Sequence, residues 1–253
     1  MAHKVGGPSS DGILYLYGIT GSASTGPSLP GVDGKANVEA IECSGLFCWI
    51  SQVPSEQFGE SFQQRLEDLE WLAAVSIRHQ QVVAAIAEST DILPARLGTM
   101  FLSEESLRTD IQKRKPALAA DLRRISGTQE WGIKVFAAPR SLVLSTKVRS
   151  GKEYLQAKSN LLRSRKPHAQ NDKIKKFARE LEQVGIATSE GGRISSGARG
   201  LQYQASVLLK RTDRAKLEKL LRRFSRAWKG THRIEWSGPW PPYSFVSQVA
   251  KSD

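Results

Sequence analysis

Apolar positions along this chain change their period several times, and each change marks an element. Residues 13–19 form a continuous apolar and aromatic run, which predicts a buried strand. Residues 20–34 are dense in Gly, Ser and Pro and predict a loop. Two short β-type runs, 38–43 and 46–53, flank Ser44-Gly45 and predict a two-residue hairpin ended by Pro54. A helical period follows, with Phe62, Leu66, Leu69, Ala73, Val75, Val82, Val83 and Ile86 on its apolar face. Ser61 and Gln64 have the spacing of a capping box at its start, and Glu67, Asp68 and Glu70 fall on the wet side.

Residues 92–101 then predict an extended segment interrupted by Pro94 and Gly98. A second helix is expected from Ser103, with Leu107, Ile111, Leu118, Leu122 and Ile125 in one stripe. Pro116 should kink or split it, and Gly127 should stop it. Residues 131–137 predict a strand. Residues 150–184 predict helix broken near 163–167, with Ile174, Phe177, Leu181 and Val184 beyond the break. Residues 189–200 predict a loop and 201–210 a strand. The cleanest helix in the chain then runs from Asp213 to Gly230, and residues 231–236 predict a last strand.

The chain ends in Gly238-Pro239-Trp240-Pro241-Pro242-Tyr243-Ser244-Phe245, where three prolines disfavour helix and central strand alike. Its aromatic area wants a groove. A strap packed on its own domain and an exposed ligand for a partner protein both fit. The packing reading places Trp240 and Pro242 inward and leaves Tyr243 and Phe245 as candidates for contact.

Charge divides the chain. Of 253 residues, 1–128 carry 11 Lys and Arg against 15 Asp and Glu, whereas 129–253 carry 26 against 10, for a total of +12. This asymmetry predicts an acidic N-terminal α+β domain over 1–128 and a basic C-terminal one over 129–253. The alternation of strands and helices predicts α+β architecture with two ferredoxin-like modules, the second carrying a helical, coiled-coil-like extension. No apolar run is long enough to cross a bilayer, and residues 1–10 lack a secretory h-region. Cys43 and Cys48 fit neither a disulfide framework nor a zinc site, which suggests a cytoplasmic protein.

Candidate chemistry is sparse. His3, His79, His168 and His232 are scattered without metal-ligand spacing, and no nucleophile elbow, phosphate loop or dinucleotide fingerprint occurs. No catalytic residue, metal or cofactor is therefore assigned, and an enzyme is unsupported. The basic half raises a nucleic-acid-binding regulator as the alternative, through Lys173, Lys175, Lys176, Arg179 and the arginine-rich face of the helix over 213–229. Phe177, Phe224 and Trp228 fall on apolar faces, however, and read as core rather than stacking platforms. Acidic protein surfaces match the same charge equally well.

Several motifs occur in order: Leu14-Tyr15-Leu16-Tyr17-Gly18-Ile19; Leu69-Glu70-Trp71-Leu72 with His79; Leu93-Pro94-Ala95-Arg96-Leu97-Gly98-Thr99-Met100-Phe101; Glu130-Trp131-Gly132-Ile133-Lys134-Val135; Ser150-Gly151-Lys152-Glu153-Tyr154-Leu155; and the terminal Pro-aromatic octet. Together they resemble the gas vesicle protein family that contains GvpF and GvpL. Two positions depart from its pattern: Ala95 and Leu97 flank Arg96 where the family has Leu and Phe, and Gln204-Ala205 stands where an Asn-Ala pair is usual. The resemblance implies a non-enzymatic minor component that assists gas vesicle assembly in the cytoplasm. Its partners would be the shell protein and other accessory proteins, and it would not be membrane-bound. Candidate partner contacts are Arg96, Arg214, Arg222, Arg226, Tyr243 and Phe245, and Arg96 could equally be an internal anchor.

Overall fold

The computed structural model describes residues 12–23, 29–59, 61–138, 167–190 and 200–246, with backbone alone at 167–171. The motif at 150–155, the helix expected before residue 163 and most of the loop at 191–199 lie outside the described residues. The chain is α+β with two sheets, and it forms two compact units. The first takes the described residues of Met1–Gln129 and Pro239–Asp253, and the second is Glu130–Gly238. A division at 128/129 places the terminal octet in the basic half, but residues 239–246 group with the acidic one.

The first unit is built around β1 (Gly12–Thr20). It pairs antiparallel with β3 (Leu46–Pro54) on one side and with β4 (Ile92–Pro94) and β5 (Met100–Phe101) on the other. β2 (Glu39–Cys43) lies outside β3, giving the order β2-β3-β1-β4. The β2–β3 turn has φ of 57° at Ser44 and 79° at Gly45, the pair of positive values that a tight hairpin turn of this hand requires.

A bulge between Leu16 and Gly18 adds one residue to β1 and leaves both of its faces apolar. Ile13, Tyr15 and Tyr17 face one core with Val75, Val82, Val83 and Ile86 of α3 (Leu69–Ser89). Leu16 and Ile19 face a second core with Leu107, Ile111, Leu118 and Ile125 of α4 (Glu104–Ile125). The sheet is thus the middle of three layers. A fully buried aliphatic side chain contributes about 1.5–3 kcal/mol, so either core far outweighs the local helix propensities.

Two local expectations are corrected. The long helix starts at Leu69, not near Ser61. The Asp68 side chain accepts from the backbone N–H groups of Glu70 and Trp71, each at 3.1 Å, and so caps it. Before it lie only the single turns α1 (Ser55–Phe58) and α2 (Phe62–Arg65), and the Ser61 hydroxyl donates to the Glu56 carbonyl instead of capping. Second, α4 runs unbroken through Pro116. Its buried stripe lies on both sides of the proline and holds the two halves to one sheet face, offsetting a cost of about 3 kcal/mol.

In the second unit β6 (Thr128–Ala137), β7 (Ala187–Glu190), β8 (Leu201–Lys210) and β9 (His232–Trp240) form a sheet of order β7-β8-β6-β9. α5 (Pro167–Val184) and α6 (Arg214–Ala227) contribute Phe177, Leu181, Leu217, Leu221 and Phe224 to one core with Trp131, Ile133, Val135, Val207 and Leu209. Among the described residues the succession β-α-β-β-α-β with this strand order has the connectivity of a split β-α-β module. β7 occupies the start of the region expected as loop. β9 extends through Pro239 to Trp240, beyond the expected end at 236. It is an edge strand, where a proline costs no ladder hydrogen bond.

Candidate functional site

Two features of the chain offer themselves as functional surfaces: the terminal strap on the first unit and the charged face of α6 on the second. The strap is a built structure. Pro241 and Pro242 are buried, and residues 243–245 form one 3-10 turn. The Tyr243 hydroxyl lies 3.2 Å from Nε2 of His79. On the opposite side of the imidazole the Tyr15 hydroxyl lies 3.0 Å from Nδ1, and that same hydroxyl accepts the backbone N–H of Gly98 at 3.0 Å. Four groups remote in sequence are therefore joined in one chain.

Tyr15 Oη accepts from Gly98 and still has a proton and a second lone pair to offer Nδ1, so the imidazole tautomer sets which atom donates on each side. The imidazole is neutral. Burial lowers the His79 pKa to about 4, only partly opposed by its hydrogen bond to the Ala95 backbone. Burial likewise pushes the Tyr15 and Tyr17 phenols upward. The Tyr17 ring stacks on His79 at 5.8 Å between centroids, and its hydroxyl contacts Ser51 and accepts the Val32 N–H, each at 2.8 Å.

Past Tyr243 the strap crosses to the other helix layer. Phe245 is buried, and its carbonyl accepts from the Arg124 guanidinium, which also pairs with Asp121 at 2.7 Å. Val246 packs on the α4 core and closes a small pocket lined by Leu16, Ile19, Leu93, Leu118 and Asp121. The expected assignment of rings is reversed at two positions. Trp240 is 48% exposed, whereas Phe245 is 7% exposed and spent on packing. Pro242 is inward as expected, and Tyr243 is half-buried.

Arg96 lies in the turn that joins β4 to β5. Its carbonyl accepts from both N–H and hydroxyl of Thr99, at 3.1 and 2.8 Å. Its side chain is exposed and pairs with no carboxylate among the described residues, and Leu97 beside it is 37% exposed. Gly98 has φ of 79°.

The face of α6 is less free than its composition implies. Arg214 bonds Glu218 at 2.9 Å and lies 5.4 Å from the Trp131 ring, and Arg222 reaches the same Glu218 at 3.4 Å. Lys216 pairs with Asp213 at 2.7 Å, and Arg223 with Glu180. Lys219, Arg226 and Lys229 are exposed and have no carboxylate partner among the described residues. Asp213 thus serves Lys216 and makes no side-chain cap.

Sequence reasoning passed over His79 after excluding it as a metal ligand. The usable signal was its place in the apolar stripe of α3, opposite a strand carrying two tyrosines. Among the described residues no group of three or more His, Cys, Asp and Glu could hold a metal ion, and no helix is long and apolar enough to cross a membrane.

Residues 13–247 match the family model described as gas vesicle synthesis protein GvpL/GvpF. The chain is 28% identical over 264 aligned positions to gas vesicle protein L from a Streptomyces species, covering 97% of this chain and 96% of that protein. In fold it is similar to crystal structures of GvpF from an Anabaena species and from Microcystis aeruginosa, with TM-scores of 0.70 and 0.68 at 20% identity. Each comparison covers 93% of this chain, and 96% and 99% of the respective relatives.

Proposed function

Because the chain belongs to the GvpL/GvpF family of gas vesicle proteins, we propose that it is an accessory protein of vesicle assembly, acting through contacts with the shell protein and other accessory proteins. The family match over residues 13–247 carries this reading. In it the protein is not an enzyme, and it works in the cytoplasm at the vesicle. A wall subunit needs a self-pairing apolar edge, whereas the charge of this long chain is better suited to selective contacts.

Two surfaces support the reading. Arg96 and Leu97 stand exposed on a turn held by Thr99, which favours a contact over an internal anchor. Lys219 and Arg226 of α6, with Lys229 just past its end, are the cations best placed for an acidic partner, with Arg214 and Arg222 already shared by Glu218. Nothing favours the nucleic-acid alternative: Phe224 and Trp228 are buried at 7% and 5% exposure and offer no stacking surface.

Deleting the gene in a vesicle-forming cell, with electron microscopy and a tagged copy for capture, tests the proposal. Loss or malformation of vesicles, with vesicle proteins recovered on the tag after nuclease treatment, is the expected result. Normal vesicles together with a tag that recovers none of their proteins would overturn it.

A further inference from the structure

The strap spans both helix layers of the first unit within four residues, from Tyr243 on the α3 core to Val246 on the α4 core. Its two anchors differ in kind. The Arg124 contact to the Phe245 carbonyl touches only α4 and the strap itself. The Tyr243 contact enters a chain of hydrogen bonds that ends on the Arg96–Gly98 turn. That turn has its own closure through Thr99, and Thr99 returns its carbonyl to the Leu16 N–H at 2.9 Å. The Gly98 N–H, however, is satisfied by Tyr15.

We propose that the strap is a clasp for this turn: docking of Tyr243 on His79 orients the imidazole, the imidazole holds the Tyr15 hydroxyl by a hydrogen bond, and the Tyr15 oxygen is thereby fixed on Gly98. The presentation of Arg96 and Leu97 then depends on whether residues 239–246 are seated. With the Tyr243 hydroxyl gone, Nε2 loses that partner, and the imidazole is left with its contacts to Tyr15, Tyr17 and the Ala95 backbone. The ring then shifts and loosens its hold on the Tyr15 hydroxyl. Tyr15 Oη then turns from Gly98, and the turn loses that side-chain tie to β1 while keeping the backbone bonds Leu16–Thr99 and Ala95–Tyr17. The cost of a buried unpaired group couples the two ends of the chain of hydrogen bonds. The device is independent of the partner identity proposed above, since it concerns how one exposed turn is held.

Amide hydrogen exchange on the full-length protein, read by NMR at Gly98, Thr99 and residues 243–246, tests it with three variants. Tyr15→Phe cuts the final link directly and calibrates the response at Gly98. Tyr243→Phe removes only the strap hydroxyl and leaves its ring to pack. Phe245→Leu loosens the strap at its other anchor without touching the relay. Tyr243→Phe and Tyr15→Phe should each raise exchange at Gly98 by about three- to tenfold, the equivalent of one buried hydrogen bond. Phe245→Leu should do so to the extent that it frees Tyr243. Faster exchange at 243–246 with Gly98 within twofold of wild type in Tyr243→Phe would overturn the proposal. So would an unchanged Gly98 in Tyr15→Phe. Should Tyr243→Phe fail to fold, wild-type protein titrated with mild denaturant supplies the second reading. There the strap and Gly98 should open together, and separate opening would overturn the clasp.

Discussion

Tyr243 and His79, 164 residues apart in the chain, share a hydrogen bond of 3.2 Å in the first unit. With the Arg124 bond to Phe245 and the packing of Val246 on the α4 core, this contact ties the last described residues to the acidic N-terminal unit rather than to the basic one that precedes them. It also ranks the two phenols on His79. Tyr15 is fully buried and serves both the imidazole and Gly98, whereas Tyr243 is half-buried and serves the imidazole. Tyr15→Phe should therefore destabilise by about 2–3 kcal/mol and Tyr243→Phe by about 1 kcal/mol, because the first strips a partner from both the buried imidazole and the half-buried Gly98 N–H. Urea denaturation of both variants measures the order, and an equal cost would contradict it.

The same histidine sets a pH dependence. Its pKa falls from 6.5 to about 4 on folding, so the folded protein resists protonation that the unfolded chain accepts. The unfolded state binds the extra proton between these values. Stability is thus fully present above pH 6.5 and declines as pH falls toward 4, by up to roughly 3 kcal/mol from this group. Burial pushes the neighbouring Tyr15 and Tyr17 phenols upward, away from that window. An NMR titration of His79, with denaturation at pH 7 and pH 4.5, checks this. In His79→Gln the loss between the two pH values should shrink.

Backbone geometry gives a sharper prediction at Gly98. Its φ of 79° is a region that side chains rarely adopt, and an added Cβ would lie 2.8 Å from Cζ of Phe62. Both penalties act together, so Gly98→Ala should cost about 2–3 kcal/mol. Gly127→Ala, with φ of 67° and nothing within 4 Å of the new atom, pays only the conformational part and should cost about 1 kcal/mol. Thermal melts of the pair separate the steric from the torsional term.

What the sequence made legible was local. The hairpin at Ser44-Gly45, the stripe of α4 and the buried face of α6 follow from the identities of neighbours within a few residues, and the structure has them. The start of α3 was misplaced because Ser61 and Gln64 have the right spacing for a capping box, whereas Asp68 looked like one more acid on a wet face. The strap was harder still. Its composition demands a groove, but which ring enters depends on the 3-10 turn at 243–245 and on what lies at His79 and Arg124, more than a hundred residues earlier. The charged face of α6 shows the same limit. Seven cations can be counted in sequence, but Glu218 and Glu180 decide how many remain free.

That last distinction yields a test of the proposed docking face. Arg226 is exposed without a carboxylate partner among the described residues, whereas Arg214 is tied to Glu218 and lies against Trp131. Arg226→Glu should leave the melting temperature nearly unchanged, since surface substitutions of this kind stay within about 0.5 kcal/mol. It should nevertheless weaken capture of an acidic partner and flatten the salt dependence of binding, because one screened attraction has become a repulsion. Arg214→Glu should do the reverse, lowering stability by about 1 kcal/mol through lost packing and a like-charge contact with Glu218. Binding isotherms for both variants at low and high salt, alongside their melts, decide the point. If Arg226→Glu binds as wild type at low salt, the partner does not use this face of α6.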